Sequence, residues 1–121
     1  MGIENELSFP DVPNILRQLK DFQRKTVNFA FKQMFEIKNP TRRFLIADEV
    51  GLGKTLVARG LIAKAIDHFK DDITSGTRRY DIIYICSNTE IAKQNINRLN
   101  VIGGVGKKRN YLYLPHYFVT G

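Results

Sequence analysis

The chain has 121 residues, 43% of them hydrophobic, enough for one domain with a modest core. Nineteen Lys and Arg against twelve Asp and Glu leave a formal net charge of +7, so polyanions such as nucleic acid are natural partners. No apolar run approaches the ~20 residues of a membrane span, the acidic start Met1-Gly2-Ile3-Glu4-Asn5-Glu6 has neither a signal core nor a myristoylation pattern, and one Cys86 beside isolated His68 and His116 offers no internal disulfide and no metal cluster, so a cytoplasmic location is expected.

Residues 1–20 read as a lead-in. Phe9-Pro10-Asp11-Val12-Pro13 is a turn whose two prolines fix the backbone, and Asn14 to Lys20 has the pattern of a short helix, with Ile15, Leu16 and Leu19 on one side. The spacing predicts a firm helix over 21–37, with Asp21 as its N-cap and Val27, Ala30, Phe31, Met34 and Phe35 on its buried face. It stops before Asn39-Pro40, since the residue before proline is restricted. Arg42-Arg43 are expected in a solvated loop.

Phe44-Leu45-Ile46-Ala47 is an apolar run short enough for a buried strand. It leads through Gly51-Leu52-Gly53 into Lys54-Thr55, and a helical pattern over 55–69 follows, with Ala58, Leu61, Ile62, Ala65, Ile66 and Phe69 as its stripe. Gly60 costs helix propensity and suggests close packing against a sheet. Residues 71–79 are polar and read as a surface loop. Tyr80 to Cys86 is β-branched and aromatic, a second strand buried on both faces. Strand, helix and strand define a βαβ unit with a right-handed crossover, so the expected class is α/β with a parallel sheet flanked by helices. Ser87-Asn88-Thr89-Glu90 matches a capping box opening a third helix, with Ala92, Ile96 and Leu99 inward. Gly103 to Lys108 reads as a basic turn, and Tyr111 to Leu114 as a third strand.

Strand, glycine loop, Lys-Thr and helix is the setting of a phosphate loop. A triphosphate needs many donors around its oxygens. Successive backbone N–H groups supply them if the chain curls tightly, which Gly51 and Gly53 permit. The following helix aims its free N–H groups and positive dipole end at the same anion. Lys54 adds a charge for the outer phosphates, and the Thr55 hydroxyl suits Mg2+.

The eight residues Asp48-Glu49-Val50-Gly51-Leu52-Gly53-Lys54-Thr55 depart from the general pattern, which has a glycine where Asp48 stands. This form is similar to motif I of superfamily-2 helicases and translocases. It looks most like the Swi/Snf-like branch, the double-stranded DNA translocases that include chromatin remodellers. The resemblance implies a RecA-like first lobe over 21–121 that binds ATP and Mg2+ through Glu49, Val50, Gly51, Leu52, Gly53, Lys54 and Thr55, with Lys54 in the catalytic role. Asp48 and Glu49 precede the loop and are not the acidic pair that polarises water. The resemblance extends to Phe22-Gln23, an aromatic-Gln pair upstream of motif I whose Gln reads adenine in that family. It also covers Ser87, Asn88 and Thr89, a motif Ia-like stretch that touches the nucleic-acid backbone, where neutral donors at a helix start suit phosphate oxygens.

The same resemblance calls for a downstream Asp-Glu pair and for arginines from a second lobe. After Glu90 the sequence has no acidic residue. The chain is therefore expected to be the front of such a motor, partnered by double-stranded DNA and by the missing remainder or another chain, and to hydrolyse ATP very slowly alone. Two other classes share part of the pattern. Another P-loop NTPase or kinase would need Lys54-Thr55 but not Phe22-Gln23. A noncatalytic interaction module would not respond to nucleotide.

Overall fold

Five α-helices account for most of what the computed structural model describes, which is residues 9–47, 53–78, 80, 82–85 and 87–101. α1 (Val12–Arg17) opens where Asp11 Oδ1 accepts the Asn14 N–H at 3.1 Å. Pro13 lies in its first turn, where a missing N–H is not needed. The turn expected over 9–13 is thus already the helix start. The lead-in belongs to the fold, because Ile15 and Leu19 are buried.

α2 (Asp21–Phe31) begins at its expected cap, so the N-cap falls one residue earlier, on Lys20. Asp21 is the first helical residue and holds the Arg24 guanidinium, so its carboxylate sits at the positive end of the dipole. Val27, Ala30 and Phe31 are buried as their spacing predicts. The helix runs on through a π-helical turn, Lys32–Glu36, and stops at extended Ile37. The Thr41 N–H and hydroxyl both donate to the Gln33 carbonyl, at 2.9 and 3.3 Å, and fold the chain back after Pro40.

α3 (Lys54–His68) is central. It packs against α1 and α2 on one side and against α5 (Thr89–Leu99) on another. Ile15, Ala63, Ile66 and Val101 form one core cluster, and Leu19, Val27 and Val57 form a second, onto which Ile46 packs. The Arg59 guanidinium donates to the Arg98 carbonyl at 2.8 Å and ties α3 to the end of α5. Lys70–Thr74 forms the short helix α4, where a surface loop was expected from residue 71 onward. Phe31, Phe35, His68, Phe69 and Tyr80 form a chain of ring contacts along the far end of α3. Burial there pushes the Tyr80 hydroxyl above its ordinary range.

The expected parallel sheet is overturned, and with it the RecA-like α/β lobe. Among the described residues there is no strand: 44–47 and 82–85 have no β-ladder partner. Leu45 is 84% exposed where a buried strand was expected, and Ile83 is 83% and Ile85 72% exposed where burial on both faces was expected. The physical reason is that β-branched runs favour an extended backbone but cannot supply the neighbour that a ladder requires. The packing partners of α3 among the described residues are helices, chiefly α1, α2 and α5. The strand expected over 111–114, the basic turn at 103–108 and the residues after 101 lie outside the described residues.

Gly60 does permit a close approach, but to helices. A Cβ there would stand 3.0 Å from Val27 Cγ2 and 3.2 Å from Leu19 Cδ1. In Gly60→Ala the gain in helix propensity, about 1 kcal/mol, should be largely offset by that crowding. Gly60→Leu has no room and should destabilise by about 1–3 kcal/mol. Urea unfolding of both variants checks the pair, and a Leu variant as stable as the parent would refute the close contact.

Candidate functional site

The site is built at the start of α3. Gly53 caps this helix with φ +79°, in the left-handed region where a Cβ is strained. Its carbonyl accepts the Leu56 and Val57 N–H groups at 3.0 and 3.1 Å, which fixes the first turn. Lys54 is the first helical residue and is exposed, and Thr55 follows, half-buried. Val57 is fully buried against Leu19 and Val27, so this end of α3 is anchored by core packing.

The second component comes from α2. Gln23 is only 4% exposed. Its Oε1 accepts the Lys20 N–H at 2.9 Å, closing the start of α2. Its Nε2 stands in the space that a Cβ on Gly53 would fill. Two stretches that sequence reasoning singled out separately, about thirty residues apart, therefore meet side by side. The loop residues Glu49, Val50, Gly51 and Leu52 lie outside the described residues, as does Asp48.

Ser87, Asn88 and Thr89 belong to a different helix start. The capping box expected between Ser87 and Glu90 is displaced by one residue. Asn88 is the cap, and its Oδ1 accepts the Glu90 and Ile91 N–H groups at 3.0 and 3.2 Å. Ser87 lies outside the helix and is exposed. Asn shares the capping preference of Ser, so the four-residue pattern marked the right place but not the right side chain. Asn88→Ala should cost about 1 kcal/mol of stability, while Ser87→Ala should cost little. Thermal unfolding of the two variants checks the assignment, and the opposite ranking would return the cap to Ser87.

Sequence reasoning missed the packing role of Gln23. The available signal was its place in the buried stripe of α2, four residues before Val27. Among the described residues no cluster of three or more His, Cys, Asp or Glu could hold a metal by itself, and no helix is long and apolar enough to cross a membrane. Thr55 offers a single hard oxygen. That suits Mg2+ arriving on a nucleotide, because this ion commonly keeps several waters and takes one or two protein ligands beside the phosphates. Comparison with protein-family models, curated proteins and solved structures found no match.

Proposed function

We propose that the chain holds ATP and Mg2+ at the start of α3, as the nucleotide-gripping part of a DNA-dependent ATPase or translocase. The observation that carries this reading is the meeting of Gln23 with left-handed Gly53 immediately before Lys54-Thr55. A glycine in that conformation turns the backbone into the helix, and the first-turn N–H groups and helix dipole favour an anion there. Lys54 supplies charge to the outer phosphates, and Thr55 supplies a hydroxyl oxygen to Mg2+. Bound Mg2+ would neutralise charge on those phosphates.

Ser87, Asn88 and Thr89 are the proposed contacts to a DNA backbone. The exposed Leu45, Ile83 and Ile85 support a partner, the remainder of the motor in the same or another chain. ATP turnover by this chain alone should be very slow, and a cytoplasmic setting goes with this reading.

Thermal unfolding with and without nucleotide tests the proposal. ATP and Mg2+ at ten times their Kd should stabilise the chain by about 1.4 kcal/mol. Chelating the metal should remove most of that gain. A melting curve unmoved at millimolar ATP and Mg2+ would favour a noncatalytic interaction module.

A further inference from the structure

We propose that the outward face of α2, with the chain that folds back over its end, binds single-stranded nucleic acid: the Phe29 ring stacks a base, and Lys25, Lys32, Arg42 and Arg43 hold the phosphates on either side. The inference does not depend on the nucleotide reading of the α3 start. Phe29 is 56% exposed and Phe22 43%. Both lie on α2, seven residues apart, so they face the same way, about 10 Å apart along the axis. Lys25 stands between them and Lys32 follows Phe29 by one turn, and both are exposed. The face thus alternates ring, cation, ring, cation.

Two contacts bring Arg42 and Arg43 to this face. The Thr41 N–H and hydroxyl donate to the Gln33 carbonyl, and the Phe44 ring meets Phe29 in a T-shaped contact, with centroids 5.8 Å apart. Arg42 and Arg43, between these tethers, therefore run back beside the turn that carries Phe29 and Lys32, and both are exposed. From Lys25 to Arg43 the sequence has five cations and one carboxylate, Glu36. Among the described residues no carboxylate forms an ion pair with Lys25, Lys32, Arg42 or Arg43. Like charges gathered in this way repel one another, and a polyanion relieves the repulsion. A guanidinium also matches a phosphate through its planar fork. Phe44 steadies the Phe29 ring, whose exposed part leaves room for a base. A protein partner fits less well, because interface cores are depleted of charge and each exposed ring here has cations beside it. A duplex fits less well too, since its bases are already stacked on one another.

The test uses the full chain without nucleotide, and the fluorescence anisotropy of a labelled oligothymidine of about twelve nucleotides. The parent should bind it more tightly than a duplex of the same length. Phe29→Ala should weaken binding roughly five-fold or more, the loss expected for one stacked base. Phe29→Tyr keeps a ring and should bind like the parent. Arg42→Gln/Arg43→Gln should make the slope of log affinity against log salt shallower by about 1.4, the share of two phosphate contacts on a single strand. Equal affinity of the parent and Phe29→Ala would overturn the stacking site, as would a duplex bound as tightly as the single strand. An unchanged salt slope in the arginine variant would overturn it as well. Polyglutamate displacing the oligonucleotide at equal charge concentration would overturn it in favour of an acidic protein segment. Should Phe29→Ala fail to fold by circular dichroism, the exposed arginine pair still decides through its salt slope.

Discussion

Lys54→Ala is expected to weaken binding of ATP and Mg2+ by about 10- to 150-fold, the range set by losing a hydrogen bond between charged groups. Lys54 is exposed at the first position of α3, so its loss opens no cavity and should leave the melting temperature of the free chain almost unchanged. Lys54→Arg should recover only part of the affinity. A guanidinium is a planar fork, whereas the loop wants a compact charge on a flexible stem. Equilibrium titration of the three proteins checks this order. Equal affinity in parent and Ala variant would remove Lys54 from the site.

Gly53→Val should be the most damaging single change in the described site, costing about 2–4 kcal/mol of stability. Two causes add. A β-branched residue at φ +79° strains the backbone, and the new side chain must displace the Gln23 amide from its buried position. Nucleotide binding should fail with it, because the first turn of α3 hangs on the Gly53 carbonyl. The causes separate in a double-mutant cycle. Gln23→Ala makes room for the valine but leaves the strain, so the double variant should be less destabilised than the sum of the single changes. Strict additivity would mean that the two residues do not share space in solution.

Much of the helical layer was legible in residue spacing. Val27, Ala30 and Phe31 repeat at helical intervals, and Asn39-Pro40 marks the stop. These signals are local, and local signals survive whatever the rest of the chain does. The sheet was not legible, because a strand is completed by a partner. Nothing in Phe44 to Ala47 or Tyr80 to Ile85 says whether one is present.

The inner face of α3 was misread for a related reason. Val57 and Ala63 are fully buried yet lie outside the stripe drawn through Ala58, Leu61 and Ile62. A helix enclosed by α1, α2 and α5 has no single wet face, so a one-stripe pattern locates only part of its core.

For the site, the glycine at 53 carried its own message. Read from sequence, Gly51 and Gly53 permit a tight curl, and φ at Gly53 is +79°. The meeting of Gln23 with Gly53 was not legible. No periodicity reports that Gln23 and Gly53 meet, since the contact follows from how α2 crosses α3 and from Gly60 letting Leu19 and Val27 come close. The packing of α2 on α3 is thus also what sets Gln23 beside Gly53.

The central claim is that the turn at Gly53 and the start of α3 hold a polyphosphate with Mg2+. The most direct measurement is a 1H–15N titration of the parent chain with ATP and Mg2+ to millimolar concentration. The account predicts saturable shifts at the Gly53, Lys54 and Thr55 amides, reproduced by tripolyphosphate and abolished in Lys54→Ala. Resonances that stay in place at those three amides while the rest of the spectrum shows a folded chain would contradict it.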